Sequence, residues 1–186
     1  MIIWVKTPRC AGTSLLRQCK AQKIIPEKMV CIVPPGKEDF IQQKKQLWDT
    51  AYKIAVIRNP FDRMISAWKY LQATKNIRLG ISLKELLLNL PDKKKYFTAW
   101  LHLTQSQASF IQDPDGCITY DKIVRFETLQ ADLDEVFSEN GIEPFPLKHL
   151  NASVREPGYR QYYDSETRAL VEEKYWIDLK LFGYEF

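Results

Sequence analysis

The sequence lacks the features that define several large classes of protein. No apolar run approaches the roughly 18 residues that span a bilayer, and the start at Met1 lacks the basic and long apolar parts of a secretory signal. Four cysteines without a Cys-x-x-Cys pair and two histidines make no recognisable zinc motif. We find no internal repeat and no low-complexity tract. These absences predict a soluble, cytoplasmic, globular protein without a metal site.

The length and the net charge of the chain indicate how many domains it has and what kind of ligand it binds. The chain has 186 residues, 45% of them hydrophobic, which predicts a single domain over residues 1–186 with a core large enough to surround a sheet. Its net charge of +4 is mildly basic, which favours an anionic ligand but falls short of a nucleic-acid-binding protein. The oligomeric state cannot be read from the sequence.

Apolar runs alternate with segments of helical periodicity. Strands are predicted over residues 2–5, 29–33, 52–57 and 118–126. Helices are predicted from about residue 15, from Pro60 with Asn59 as cap, from Ser82 with Glu85 as a capping box, over 129–137, and as one long helix over 164–181. This alternation predicts an α/β fold in three layers, with a short, mainly parallel central sheet flanked by helices. In such a sheet a ligand binds at the carboxyl ends of the strands.

The first strand leads into a segment that suits an anion. Residues 6–14 read Lys-Thr-Pro-Arg-Cys-Ala-Gly-Thr-Ser and precede a helix. A strand, tight loop and helix point several backbone N–H groups at one spot, where the helix dipole adds positive potential. Gly12 allows close backbone approach, Thr13 and Ser14 can donate hydroxyl hydrogens, and Lys6 supplies a mobile charge, to which Arg9 adds a second. The alternative is a plain helix cap with Lys6 in solvent.

The loop differs from that of nucleotide triphosphatases. Their loop begins with glycine and ends in Gly-Lys-Ser/Thr, whereas here the lysine precedes the glycine by six positions. The strand over 52–57 is followed by Arg58, where a magnesium-binding carboxylate would be expected. This arginine indicates an anionic ligand bound without metal.

A second anion site is predicted from Arg58 and Ser66. Arg58 ends a strand, and Ser66 lies in the first turns of the following helix. Both can donate hydrogen bonds to a phosphate. Two such sites imply a doubly phosphorylated ligand.

The order of these motifs resembles that of the sulfotransferases that use 3′-phosphoadenosine 5′-phosphosulfate (PAPS), especially their carbohydrate and bacterial branch. Residues 6–14 resemble the loop that grips the 5′-phosphosulfate, and residues 58–66 resemble the 3′-phosphate motif. Later segments agree in order, so that the resemblance spans nearly the whole chain: 125–129 with Asp132, 149–151, 162–164, Asp178 and 182–184.

The resemblance implies a reaction and its binding residues. The chain would move a sulfuryl group from PAPS to an acceptor hydroxyl, expected on a glycan or other carbohydrate, and release adenosine 3′,5′-bisphosphate without a metal. Arg58 and Ser66 would bind the 3′-phosphate, and Lys6 would stabilise charge on the leaving phosphate. Residues implied in binding the 5′-phosphosulfate are Lys6, Thr7, Gly12, Thr13, Ser14 and Leu15, together with Arg9, which stands where the family commonly has a small or neutral residue.

The sequence offers three candidates for the general base. Related enzymes often carry a histidine or glutamate before the 3′-phosphate motif, and that stretch offers Glu38 and Asp39, of which Glu38 is the first candidate. His102 is nearly level with it, because its segment resembles one near the acceptor cleft and its near-neutral pKa suits a base. Each also has a structural interpretation, Glu38 as a helix-start carboxylate and His102 as a packed side chain.

Other assignments remain open. Because the resemblance includes animal relatives that often sit in the Golgi, a trimmed Golgi-type catalytic domain is the alternative to a cytoplasmic enzyme. A small nucleotide kinase and a non-catalytic module that binds adenosine bisphosphate are the alternatives to a sulfotransferase. Lys148 or Arg155, beside His149, could meet the 3′-phosphate from a late loop. The lysine run 93–95 predicts a solvated surface, with attraction of an anionic sugar polymer as the alternative. Tyr96, Phe97 and Trp100 could stack on sugar rings or belong to the core.

Overall fold

Residues Ile2–Val5 form the first strand, β1, and all four side chains are fully buried. Ile2 and Trp4 pack into one apolar cluster, whereas Ile3 and Val5 pack into another. Because successive side chains of a strand point to opposite faces, β1 is covered on both sides, which explains its continuous apolar sequence. The structure, a computed structural model, describes residues 1–33, 36–113, 116–148 and 156–186.

The sheet is parallel throughout its described strands. β2 (Met29–Ile32), β3 (Tyr52–Ile57) and β4 (Lys122–Arg125) join β1 in the order β2-β1-β3-β4. Val5 pairs with Ile32 on one side and with Ala55 on the other. The predicted α/β fold with a parallel central sheet is confirmed, although β4 is shorter than the strand predicted over 118–126.

The strand order reverses beside β1. The chain leaves β1 for β2 on one side and leaves β3 for β4 on the other, so that a topological switch point lies between β1 and β3. In open parallel sheets, ligands bind at the carboxyl ends of the strands at such a point. The segment that begins at Lys6 leaves the sheet there.

The helices have the following bounds: α1 Gly12–Ala21, α2 Lys37–Gln43, α3 Lys45–Thr50, α4 Pro60–Ala73, α5 Leu83–Leu88, α6 Phe97–Leu103, α7 Gln107–Ile111, α8 Leu129–Glu139, α9 Ser165–Lys174 and α10 Trp176–Phe182. Short 3-10 helices cover Phe126–Thr128 and Arg160–Tyr162. Among the described residues, none of these helices is long and apolar enough to cross a membrane.

The chain divides into two compact units. The first comprises Met1–Ile57 and the described part of Phe110–Ala152; in it, Leu15 of α1 and Leu133 of α8 pack with Trp4 on one face of the sheet. Trp48 of α3 packs with Ile3 and Val5 on the other face. This unit therefore has three layers.

The second unit is helical and comprises Arg58–Ser109 and the described part of Ser153–Phe186. Its core joins α4, α5, α6 and α9 through buried side chains such as Met64, Leu86 and Val171. That residues 1–186 act as a single domain stays a prediction.

Local capping rules placed several helix starts correctly. The side chain of Asn59 accepts a hydrogen bond from the N–H of Phe61 at 3.0 Å, and Ser82 accepts one from Glu85 at 3.1 Å. Asp164 and Thr167 form a reciprocal capping box. The carboxylate of Glu85, however, pairs with Arg78.

Two predicted helix bounds were wrong. α1 begins at Gly12, three residues before the predicted start. The single helix predicted over 164–181 is interrupted at Tyr175, whose φ of −113° and ψ of 25° leave the helical region. Tyr175 is buried and its hydroxyl donates to the carbonyl of Leu103 at 2.5 Å, so that a tertiary contact accompanies the break between α9 and α10.

Candidate active site

The loop between β1 and α1 has an unusual backbone. Arg9 and Ala11 adopt left-handed φ values of 64° and 56°, which non-glycine residues rarely adopt and which recur at functional sites. Ala11 occupies the cap position of α1, and its side chain makes no capping hydrogen bond. The N–H groups at the start of α1, from Gly12 to Ser14, therefore present the positive end of the helix dipole to this loop.

Thr7 anchors the loop to the sheet. Its side chain is buried and its hydroxyl donates a hydrogen bond to the carbonyl of Val56 in β3. The N–H of Lys6 donates to the carbonyl of Ile32 in β2 at 2.9 Å. The loop is thus held by both strands that flank β1. That Thr7 binds the sulfuryl donor stays a prediction. In the structure, its hydroxyl binds the main chain of β3.

Lys6 packs across Gly12. A Cβ atom placed on Gly12 would lie 2.6 Å from Cγ and 2.9 Å from Cδ of Lys6. Non-bonded carbon atoms essentially never approach so closely. Gly12 therefore leaves room for the lysine side chain, which runs over the start of α1. The half-buried Lys6 and the buried Gly12 form one structural element.

We predict that Gly12→Ala lowers the turnover number while leaving the fold intact. The new methyl group displaces the flexible side chain of Lys6, the predicted catalytic cation, and a misplaced catalytic group typically costs on the order of 10²-fold in rate. Alanine in place of glycine should not destabilise α1. Transfer kinetics and the thermal midpoint would be measured together.

Gly36→Ala provides the matched control, because a Cβ there would lie 3.5 Å from the carbonyl oxygen of Val33, an ordinary contact. We expect its turnover to equal that of the wild type. Wild-type turnover in Gly12→Ala would show that the Lys6–Gly12 packing has no catalytic importance.

A cavity of about 370 Å³ adjoins the start of α1 within the first unit. One wall consists of Ala11, Ser14, Leu15 and Gln18, and the others come from residues 126–131 and from Leu147 and Lys148. This volume lies in the range of small-ligand pockets. Ser14 and Leu15, both predicted at the phosphosulfate site, line it, so that the cavity adjoins the predicted site.

Two glutamine side chains hold the wall at residues 147–148. Gln18 accepts from the N–H of Lys148 at 2.6 Å and donates to its carbonyl at 3.1 Å. Gln130 accepts from the N–H of Leu147 at 2.7 Å. Lys148 therefore lies at the cavity beside α1, in the first unit. His149 and Arg155 lie outside the described residues.

Arg58 is buried and tightly held within the second unit. Its Nε and Nη2 atoms lie 2.8 Å and 2.6 Å from the same oxygen of Asp62. Its backbone N–H donates to Oε1 of Gln107 at 2.8 Å, and its carbonyl accepts from Nε2 of Gln107 at 2.8 Å. Both the main chain and the side chain of Arg58 are therefore fixed by side chains of the same unit.

Ser66 lies one helical turn beyond Asp62 on α4 and is 3% exposed. Residues four apart share a face of a helix. Ser66 therefore lies on the same face of α4 as Asp62, which holds the Arg58 guanidinium. Arg63, also on α4, is buried. Its Nη2 atom lies 3.9 Å from Oδ2 of Asp178, and its Cζ atom lies 4.8 Å from the ring centre of Tyr175. Arg63 thus belongs to the core of the unit.

The candidate bases occupy different surroundings. Glu38 and Asp39 are exposed in the first turn of α2, which confirms the helix-start position of Glu38. The neighbouring Lys37 is buried, binds the carbonyl of Gln112, and has a pKa lowered by desolvation. His102 lies in α6 and stacks on Tyr70 at 5.5 Å between ring centres. Neither Glu38 nor His102 lines the cavity.

The other residues predicted at the phosphosulfate site belong to the loop or to the start of α1. Thr13 is exposed and Ser14 half-buried at the start of α1, Arg9 is half-buried within the loop, and Leu15 is buried. Leu15 contributes apolar surface to both the cavity and the core. Among the described residues, no three His, Cys, Asp or Glu side chains form a metal-binding group.

The fold is that of an α/β protein whose first parallel strand leads into a turn at the start of a helix. A comparison with protein families finds that the sulfotransferase family matches residues 34–185. Because this match covers most of the chain, the protein belongs to the sulfotransferase family. Comparisons with curated proteins and with solved structures found no match.

The matched stretch includes Arg58 and Ser66 but begins after the first loop. The predicted family is confirmed, whereas its carbohydrate branch stays a prediction. The roles of Lys6 to Leu15 rest on the loop geometry described above.

Sequence reasoning missed Gln107 as a partner of Arg58. Gln107 ends the segment 101–107, which includes His102 and resembles a family segment near the acceptor cleft. The fully buried Gln107 binds the backbone of Arg58. The two residues are 49 positions apart, and no local pattern marks such a contact.

Proposed function

We propose that this sulfotransferase takes its sulfuryl group from PAPS and transfers it to an acceptor hydroxyl. The observation that carries the proposal is the start of α1: a helix whose cap residue is alanine, crossed by Lys6 and opening onto a cavity. Such a helix start binds phosphate through backbone N–H groups. The adjoining cavity suits the nucleoside of the same ligand.

The donor would lie with its 5′-phosphosulfate at the loop. The backbone N–H groups at the start of α1 and the hydroxyls of Thr13 and Ser14 bind the phosphate oxygens. The nucleoside lies against the apolar side chains of Phe126, Leu129 and Leu147 in the cavity. Its binding there orients the sulfur for reaction.

The 3′-phosphate of the donor would bind Arg58 and Ser66. The ion pair with Asp62 holds the guanidinium in one orientation, which lowers the entropic cost of forming phosphate contacts. This contact is remote from the sulfur. Its binding energy therefore contributes to orientation as well as to affinity.

Transfer would proceed by in-line displacement. The acceptor oxygen forms a bond to sulfur while the bond from sulfur to the 5′-phosphate oxygen breaks, and adenosine 3′,5′-bisphosphate leaves. Negative charge grows on that phosphate oxygen, and the Lys6 ammonium stabilises it. Glu38 and His102 remain the candidates to accept the hydroxyl proton. The cations at the two phosphates come from the protein, so that we expect turnover without added metal.

We propose a carbohydrate acceptor. Phe97 and Trp100 stack at 5.9 Å between ring centres, and the Lys93 ammonium lies 4.7 Å from the centre of the Trp100 ring. Tyr96 and Phe97 are each 45% exposed. Exposed aromatic faces beside lysines offer stacking surface for sugar rings and attraction for anionic substituents.

Transfer from sulfur-labelled PAPS to a panel of glycans, in the presence of a chelator, tests this proposal. We expect label on at least one hydroxyl-bearing glycan and release of adenosine 3′,5′-bisphosphate. Magnesium-dependent turnover of ATP would favour the nucleotide kinase alternative. Binding of the bisphosphate without transfer to any acceptor would favour a non-catalytic module.

A further inference from the structure

The side chain of Gln107 gives Arg58 the hydrogen bonds that a neighbouring strand would otherwise provide. The ladder between β3 and β4 ends at the pair Ile57 and Arg125. Arg58 follows directly, and both of its backbone polar groups bind the amide of Gln107 at 2.8 Å. The path of the main chain at Arg58 is thereby fixed before α4 begins.

Gln107 is itself held by a buried carboxylate. Asp178 is fully buried, and its two oxygens accept hydrogen bonds from the N–H groups of Gln107 and Ala108 at 2.7 Å and 2.9 Å. These bonds satisfy the start of α7, which would otherwise leave buried donors without acceptors. The backbone of Gln107 therefore has a set position, and its side chain reaches Arg58 from it.

We infer that Gln107 is a positioning residue that directs the Arg58 guanidinium toward the 3′-phosphate of the nucleotide; this inference rests on the proposed function. The direction in which an arginine side chain leaves the main chain depends on the backbone dihedral angles at its own position. Gln107 fixes that backbone, and Asp62 fixes the far end of the side chain. The guanidinium is thus oriented from both ends, which phosphate recognition through two parallel hydrogen bonds requires.

We expect a Gln107 variant to lose only the part of the binding affinity that the 3′-phosphate contributes. A residue that merely stabilises the fold would change the affinity for every adenosine nucleotide alike. A residue that positions Arg58 would change only the gain in affinity that the 3′-phosphate brings. The quantity to measure is the ratio of dissociation constants, adenosine 5′-phosphate over adenosine 3′,5′-bisphosphate.

Gln107→Met keeps the length and volume of the side chain but removes both hydrogen bonds to Arg58. For the wild type we expect a ratio of at least about 10, the gain from charge-assisted contacts to one phosphate. In Gln107→Met we expect the ratio to fall to roughly one-tenth of the wild-type value, with the affinity for adenosine 5′-phosphate unchanged within about twofold.

Tyr175→Phe is the matched control. It removes one buried hydrogen bond of the same unit, to the carbonyl of Leu103, without touching Arg58. It should lower the thermal midpoint and leave the ratio at the wild-type value. If Gln107→Met does not fold, Gln107→Asn keeps a buried amide that is too short to hold both groups of Arg58, and the same fall in the ratio is expected.

A wild-type ratio in either folded Gln107 variant overturns the inference. A ratio near one in the wild type instead overturns the proposed role of Arg58 at the 3′-phosphate. The two failures are therefore distinguishable in one set of titrations.

Discussion

Replacing Lys6 by alanine is expected to lower the turnover number by about 10²- to 10³-fold, the usual effect of removing one group that stabilises transition-state charge. The dissociation constant of adenosine 3′,5′-bisphosphate should change by less than about tenfold, because the backbone N–H groups and hydroxyls at the start of α1 remain. Charge on the departing phosphate oxygen grows only in the transition state, so that the lysine acts mainly there. Transfer kinetics and titration calorimetry would give the two numbers.

The matched control is Lys20→Ala, which removes the same charge from the exposed end of α1. It should retain wild-type turnover. Equal losses of turnover and nucleotide affinity in Lys6→Ala would contradict a transition-state role, because they would mean that Lys6 only binds the ligand.

Replacing Arg58 by alanine is expected to weaken the binding of adenosine 3′,5′-bisphosphate by roughly 10- to 100-fold, the value of charged hydrogen bonds to one phosphate. The affinity for adenosine 5′-phosphate should stay close to that of the wild type. Part of the loss comes from Asp62, whose carboxylate is only 15% exposed and loses its partner. Calorimetric titration with both nucleotides measures the difference.

Asp62→Asn in the Arg58→Ala background separates these causes. We expect it to restore part of the affinity, because it removes a carboxylate that would repel the phosphate. Arg78→Ala, at an exposed ion pair of the same unit, is the control for loss of an arginine charge. Arg58→Ala with wild-type affinity for both nucleotides would exclude Arg58 from the 3′-phosphate site.

Elements governed by local rules could be predicted from the sequence. β1 and β3 have the predicted bounds because an uninterrupted apolar run of strand length marks a strand buried on both faces. Asn59 caps α4 as expected, because an asparagine before proline and a periodic apolar stretch leaves few alternatives. These signals lie within a few residues of the element that they define.

Contacts between distant segments could not be predicted in the same way. Gln18 and Lys148 are 130 positions apart, and Gln107 and Arg58 are 49 apart. A buried glutamine that binds backbone groups has no periodicity and no required neighbour in the sequence. The break at Tyr175 likewise depends on tertiary packing, which overrides the helical pattern of residues 164–181.

Gly12 has a packing role that the sequence did not indicate. The sequence indicated that a glycine lets the backbone approach an anion. The structure adds that the space beside its Cα is filled by the methylene groups of Lys6. The lysine and the glycine therefore depend on each other, although six positions separate them.

Titration of the wild-type protein with adenosine 3′,5′-bisphosphate, in chelator and again in magnesium, measures whether the nucleotide binds and whether its binding needs a metal. We expect one nucleotide bound per chain with the same affinity in both solutions, because backbone N–H groups, Lys6 and Arg58 supply the positive potential. No measurable binding, or binding that appears only with magnesium, would contradict this expectation.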